Sequence, residues 1–351
     1  AAAPITDDLG LAGVGSWTLG PAAGTQNLVA TAAGLPGSPL TFAANATPLT
    51  LPQLSIADVT VTEGNTGTAN AILTVSLSAP STKTVSFVTF SANSTATSGT
   101  DYTSIVTRII AMNPGVTSVT IPVTISGDMT YEPTETLTVS VANALNATIT
   151  DGQAVLTITN DDPLPSLSIN DVTVTEGNVG TVNANFVVSL SNPSSQLINV
   201  TATTAGGAAT SGVDFVPRGP TVLSISPGTT SAAFTVTVNS DTLSEATETF
   251  TVGLSAATNS TIADASGTGT ILDNDPLPGV SINDVAILEG DAGTSIATFT
   301  LTLSAASGQA TSVTAATGGG SATAGSDYTA AGPTAVTFAA GVTPQNFQVS
   351  V

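Results

Sequence analysis

The stretch Leu54-Ser55-Ile56-Ala57-Asp58-Val59-Thr60-Val61-Thr62-Glu63-Gly64-Asn65 returns almost letter for letter as Leu167 to Asn178, and again with substitutions as Val280 to Asp291. The step from Glu63 to Glu176 is 113 residues, and so is the step from Glu176 to Glu289. Other marks keep it: Asp101, Asp214 and Asp327; Asp128 and Asp241; Glu135 and Glu248; Asp162 and Asp275. Self-similarity at a fixed period is read before any local pattern, because it says that one folding unit is being copied. Equal spacing without a gap points to recent duplication of one shared fold.

Each copy reads as a string of short strands. Leu73, Val75 and Leu77 alternate with Thr74 and Ser76, and Val119, Ile121, Val123 and Ile125 alternate likewise. So do Leu137, Val139 and Val141, and then Ala154, Leu156 and Ile158. Apolar residues at every second position mark a strand with one buried side. Asn113-Pro114-Gly115, Ser226-Pro227-Gly228 and Thr150-Asp151-Gly152 punctuate these runs as turns. About seven strands in roughly 110 residues is the content of a two-sheet sandwich. The expected fold is therefore all-β: tandem seven-stranded antiparallel β-sandwiches of immunoglobulin-like type, arranged end to end as a rod. Charged residues are only 8%, and without Glu, Lys and Arg faces long helices are not expected.

Asp162-Pro163-Leu164-Pro165 and Asp275-Pro276-Leu277-Pro278 join the copies, and paired prolines make a short, stiff connector. Pro48 to Pro52 resembles a related joint. The expected organisation is a partial domain with its linker over 1–50, complete domains over 51–163 and 164–276, and a partial domain over 277–351. The third copy stops at Val351, the counterpart of Val238, ahead of its last two expected strands. Ala1 opens inside a domain-like pattern, so an export signal is expected outside this segment. Broken ends of this kind are either continued in a longer chain or completed by strand addition from a neighbouring subunit.

Three Lys and Arg stand against 24 Asp and Glu, a net charge of −21. Nucleic acid requires a basic footprint, and anionic lipid a basic cluster; this chain offers neither. No apolar run reaches the length of a membrane span. There is no Cys and no His, so thiolate and imidazole metal sites are excluded. Catalysis has little to work with: Lys83 is the single lysine, no nucleophile elbow surrounds a serine, and aromatic residues are 4%. No enzymatic activity is expected. One lysine also rules out isopeptide staples as a general device. Gly318-Gly319-Gly320 leads into neither a helix pattern nor a Lys, and reads as a turn. Sequons at Asn45, Asn93, Asn146, Asn199 and Asn259 carry little weight in a Thr- and Ser-rich chain.

The acids are grouped. In the first complete copy seven of nine fall at Glu63; Asp101; Asp128, Glu132 and Glu135; and Asp161 and Asp162. The second offers Glu176; Asp214; Asp241, Glu245 and Glu248; and Asp273 and Asp275. In a sandwich these loops can converge at one pole. Lys83 and Arg108 in the first copy and Arg218 in the second are too few to neutralise that many carboxylates. A divalent cation resolves the conflict, and calcium takes six to eight oxygens with flexible geometry. The plainer alternative is that the acids form turns and caps, since Asp bonds nearby backbone amides. Asp58, Asp171 and Asp284 interrupt strand patterns and read as bulge or turn residues.

Together, Val61-Thr62-Glu63-Gly64, Gly99-Thr100-Asp101-Tyr102, the Asp128–Glu135 run and Asn160-Asp161-Asp162-Pro163 resemble the Calx-β motif, over residues 54–351. The resemblance implies seven-stranded sandwiches that bind calcium at one tip. It implies as ligands Glu63, Asp101, Asp128, Glu132, Glu135, Asp161 and Asp162, with Thr130 in a main-chain role. In the second copy it implies Glu176, Asp214, Asp241, Glu245, Glu248, Asp273 and Asp275, with Leu243 in that role. The third copy keeps Glu289 and Asp327. The motif is diluted at Gly127-Asp128, Ser240-Asp241, Asn160-Asp161-Asp162 and Asp273-Asn274-Asp275, so about one to three ions per complete copy are expected. Residues 1–47, from Gly15-Ser16-Trp17 to Phe42, resemble the closing strands of a bacterial immunoglobulin-like repeat.

The function expected is a secreted or cell-surface bacterial repeat protein, a stalk, fibre or adhesive filament rigidified by calcium. Its partners would be calcium ions and either further copies of itself or a cell-surface or matrix molecule. A ligand-binding surface module and a calcium-sensing regulatory domain of a larger membrane protein are the alternatives.

Overall fold

A computed structural model describes residues 24–31, 36–46 and 50–351. Trp17 and most of the joint around Pro48 lie outside the described residues. The chain divides into two compact units. One comprises Ala1–Val61, Asn70–Ile125 and Thr136–Thr157; the other comprises Thr62–Ala69, Ser126–Glu135 and Ile158–Val351. All regular structure among the described residues is strand, and no helix among them is long and apolar enough to cross a membrane.

The first strands, β1 (Gly24–Ala30) and β2 (Leu40–Ala46), form a two-stranded antiparallel hairpin. The first sandwich contains β3 (Gln53–Ile56), β4 (Val59–Thr62), β5 (Gly67–Leu77), β6 (Val85–Asn93), β7 (Arg108–Met112), β8 (Ser118–Gly127), β9 (Glu135–Leu145), β10 (Thr148–Asp151) and β11 (Gln153–Thr159). Its sheets run β10-β3-β5-β8 and β4-β11-β9-β6-β7. The second contains β12 (Ser166–Ile169), β13 (Val172–Thr175), β14 (Thr181–Leu190), β15 (Ile198–Gly206), β16 (Thr221–Ile225), β17 (Ser231–Asn239), β18 (Glu248–Ser255), β19 (Thr261–Ile262) and β20 (Ser266–Leu272). Its orders, β17-β14-β12-β19 and β13-β20-β18-β15-β16, repeat the first. The third copy shows β21 (Val280–Ile282), β22 (Ile296–Leu303), β23 (Thr311–Ala315), β24 (Thr334–Phe338) and β25 (Pro344–Ser350), in sheets β21-β22-β25 and β23-β24.

The chain is thus a tandem array of β-sandwiches. Seven expected strands become nine segments for two reasons. The opening strand breaks at Ala57-Asp58, so β3 and β4 join opposite sheets, and a short edge strand, β10 or β19, is added. Pairing is antiparallel except where those pieces dock: β3 runs parallel to β10, β12 to β19 and β13 to β20. The break is held by the aspartate that interrupts the apolar pattern. Asp58 Oδ1 accepts the Val155 N–H at 2.8 Å, and Asp171 Oδ1 accepts that of Thr268 at 2.7 Å. Asp58 and Asp171 are therefore turn residues, as their place in the pattern suggests.

The alternating residues meet between the sheets. In the second sandwich Phe250 stacks on Phe215 at 4.6 Å between ring centroids and meets Phe186 edge-on at 5.9 Å. Gly269 opposes Phe250 in register, and a Cβ there would fall 2.3 Å from the ring. The first copy solves the same position with Leu137 and Leu156, both fully buried, so a large–small pair in one sandwich matches a medium–medium pair in the other. In the third copy an apolar cavity of about 580 Å³ is lined by Ile282, Phe299, Val313, Phe347 and Val349.

Gly269→Leu should destabilise the protein by roughly 1–3 kcal/mol through overpacking. Adding Phe250→Leu should recover most of that loss, as read from the shift in denaturation midpoint. Strictly additive losses would show that the two positions do not share one packing space.

Candidate metal centre

Strand ends and loops build the acidic pole of the second repeat. Glu176 follows β13, and its N–H is tied to the Leu272 carbonyl at 3.2 Å, which fixes the departure of the chain from the sheet. Ser240, at the end of β17, donates its hydroxyl to the Glu176 carbonyl. Asp241 turns the next loop by accepting the Leu243 N–H at 2.7 Å. Asp273 holds the chain leaving β20: its Oδ2 accepts the Glu245 N–H at 3.1 Å, and its Oδ1 that of Asp275 at 3.0 Å. Asp214 lies in the loop between β15 and β16 and accepts the Thr210 N–H.

Two clusters result. Carboxylate oxygens of Glu176, Asp241 and Asp275 lie within 4.8 Å of one another, and so do those of Asp214, Glu245 and Glu248. Arg218, the one cation of this copy, is committed elsewhere. Its guanidinium lies 4.4 Å over the Phe234 ring and donates to the Thr235 carbonyl at 2.7 Å.

The first repeat keeps the arrangement with local changes. Glu63 N–H bonds the Thr159 carbonyl at 3.2 Å, Gly64 N–H bonds Asp161 Oδ1 at 3.0 Å, and Asp128 Oδ1 accepts the Thr130 N–H at 2.6 Å. Asn160 Oδ1 receives the Glu132 N–H at 3.3 Å, the role Asp273 plays in the second repeat. Asp101, in the other unit, accepts the Thr97 N–H at 2.6 Å as Asp214 accepts that of Thr210. Glu135 opens β9, as Glu248 opens β18. In the third copy Asp327 makes the same turn with the Thr323 N–H at 2.6 Å. Glu289 is exposed, and among the described residues neither Glu289 nor Asp327 enters a three-carboxylate cluster.

Asn65 and Asn178, which sequence reasoning passed over, each hold an acidic side chain of this pole. Asn65 Nδ2 donates to Asp162 Oδ1 at 2.7 Å, and Asn178 makes the same bond to Asp275. Their signal was present: both recur at the 113-residue step, directly after Glu-Gly. Each leaves the partner's second oxygen for another use.

Burial with no partner is what separates this pole from ordinary acidic loops. Glu63, Asp162, Glu176 and Asp214 are all buried. Among the described residues Glu63 Oε1, Asp162 Oδ2, Glu176 Oε1 and Asp275 Oδ2 lack a hydrogen-bond partner. Buried polar atoms are almost always satisfied, so four orphans facing other carboxylates need an explanation. Burial pushes the Glu63 carboxyl up to about 7, helped by Glu132, Asp162, Asp128 and Asp161. Burial also raises Glu176 to about 7, with Asp241, Glu245, Asp273 and Asp275 adding to it. Glu248 reaches about 7 through burial and then its hydrogen bond and charge contact with Asp214. Glu245 is raised by burial and by Asp241 and Asp214. Hard oxygen donors, clustered and uncompensated, are what a calcium ion requires. The residues present fit that ion.

The Calx-beta domain profile matches residues 50–162, 195–275 and 280–351. The chain belongs to the Calx-beta family. Among solved structures, the calcium binding domain CBD12 of CALX1.1 is 16% identical, covering 58% of this chain and 79% of its own, with a TM-score of 0.29. The apo form of the Calx CBD1 domain is 27% identical over 32% of this chain and 100% of its own, with a TM-score of 0.29. Titin domains A168–A170 are 14% identical over 84% of this chain and 87% of their own, with a TM-score of 0.28. No curated protein matches the chain.

The raised carboxyls give the Calx-beta repeats a pH dependence of definite sign. Between the ordinary value of 4.5 and about 7, Glu63 and Glu176 hold protons when folded and release them when unfolded. Stability falls wherever the folded state binds more protons and pH rises. In chelator, the melting temperature should therefore drop from pH 5 to pH 7.5, with Glu176→Gln flattening the slope. A melting temperature rising across that window would contradict this electrostatic picture.

Proposed function

We propose that this chain is a calcium-binding structural segment, a stalk or filament piece whose successive sandwiches are stiffened by ions held at their acidic poles. The observation that carries the reading is the set of buried carboxylate oxygens without donors at Glu63, Asp162, Glu176 and Asp275. Calcium would be held by Glu176, Asp241 and Asp275 and by Asp214, Glu245 and Glu248, with Asp273 holding the loop. The counterparts Glu63, Asp128, Glu132, Glu135, Asp161, Asp162 and Asp101 would serve the preceding repeat. Glu289 and Asp327 are kept as positions of the same pattern in the third.

The stalk reading rests on where the acids lie. Asp162 and Asp275 directly precede Pro163 and Pro276, so an ion bound there would order the residues entering each proline joint. A secreted or cell-surface setting, bacterial in origin, agrees with millimolar external calcium, a cysteine-free chain and tandem duplication. Further copies of the chain or a matrix molecule are the partners this role calls for. The role proposed is non-enzymatic.

Binding to the folded state alone stabilises by mass action, about 2.7 kcal/mol for a site at a hundredfold excess of ligand over its Kd. Calcium should raise the melting temperature of the full chain by several degrees. Asp241→Asn and Glu248→Gln should each remove part of the rise, and Glu289→Gln should remove none. No calorimetric heat and no melting shift at millimolar calcium would leave the acids as loop formers.

A further inference from the structure

The loop that carries Glu245 is held from the next repeat. The Ser244 carbonyl accepts the Gly308 N–H at 3.1 Å and the Ser307 hydroxyl at 3.1 Å. Ser244 and Ser307 are both buried. Ser307 Oγ in turn accepts the Gln309 N–H at 3.2 Å, which fixes the direction of its own proton. The same motif stands 113 residues earlier, within the same unit. There the Tyr131 carbonyl accepts the Ser195 N–H at 3.0 Å and the Ser194 hydroxyl at 3.3 Å, and the Tyr131 N–H bonds the Pro193 carbonyl at 3.0 Å.

Glu245 follows Ser244 directly and shares a cluster with Asp214 and Glu248. Its side chain packs against Gly308. A Cβ at position 308 would stand 2.0 Å from Glu245 Oε1, 2.6 Å from Cγ and 2.7 Å from Cδ, so its three nearest neighbours would all be atoms of that side chain. Gly308 is absent from the left-handed glycines, so its backbone conformation does not demand glycine. A side chain there would instead have to displace the glutamate. At the preceding joint the equivalent residue is Ser195, which carries the Cβ that Gly308 lacks.

We propose that Ser307 and Gly308 are positioning residues for the carboxylate cluster of the preceding repeat, so that the Asp214–Glu245–Glu248 site takes its working shape only when the next sandwich is seated. Ser307 and the Gly308 N–H fix the main chain just before Glu245, and the missing side chain at 308 leaves the space its carboxylate occupies. Occupancy of the site and seating of the joint are then one event, and by linkage each favours the other. The two joints are built to differ, because Ser195 leaves its neighbour less room than Gly308 does. The inference rests on the calcium reading above and adds to it a contribution from the following repeat.

The test is calcium calorimetry on the full chain with Glu245→Gln, Gly308→Ala and Ser307→Ala, read beside amide exchange at Gly308. Glu245→Gln identifies the binding class to which Glu245 belongs. Gly308→Ala and Ser307→Ala should weaken that same class by about tenfold or more, the usual effect of removing a group that orients a ligand. Calcium should slow exchange of the Gly308 N–H in the unmutated chain, and less so in Glu245→Gln. If Glu245→Gln weakens a class that both other variants leave unchanged, the positioning role is overturned while the calcium reading stands. If the unmutated chain binds no calcium, the reading fails and the inference falls with it.

Discussion

Like charges brought together with nothing to neutralise them are the constraint around which the rest of this protein is arranged. In the second repeat the loops after β13, β15, β17 and β20 each deliver carboxylates to one pole, and two trios lie within 4.8 Å. The backbone does as much as it can: N–H groups of Thr210, Leu243, Glu245 and Asp275 each bond a carboxylate oxygen there. What they leave uncompensated is the inner set of oxygens, and burial then drives Glu176 and Glu248 towards protonation. Gathering these charges costs stability, and a hard cation bound there would remove that cost.

The sandwiches behind the pole are conventional by comparison, and their cores differ between the two complete copies. The Phe250–Gly269 pair and the Leu137–Leu156 pair fill equivalent space by different means. Cores accept exchanges that keep volume. At the pole, Asn160 stands for Asp273 and keeps an acceptor oxygen beneath the backbone N–H of Glu132 or Glu245.

Much of this was readable in the chain. The 113-residue step and the period-two runs over 73–77, 119–125 and 137–141 are enough for tandem sandwiches, because each face of a strand leaves a local signature. The grouping of the acids was likewise visible, as was the turn role of Asp58 and Asp171. What could not be read is whatever depends on register between distant segments. The bonds Asn65–Asp162, Gly64–Asp161 and Asp58–Val155 each span 97 residues. No periodicity within one strand encodes them. The parallel docking of β10 and β19, and the contact of Gly308 with Glu245, belong to the same class. They arise from how sheets and repeats meet, and the amino acids involved, Asn, Gly and Ser, look like ordinary turn formers until that meeting is known.

Diffraction from crystals of the chain grown with calcium, using the anomalous signal of the ion, tests the account most directly. Peaks should lie between Glu176, Asp241 and Asp275 and between Asp214, Glu245 and Glu248, with oxygen contacts of about 2.3–2.6 Å. The buried oxygens of Glu176 and Asp275 should be among those contacts. A map at saturating calcium with no peak at either cluster, and with the carboxylates still gathered, would contradict the claim that a cation compensates them.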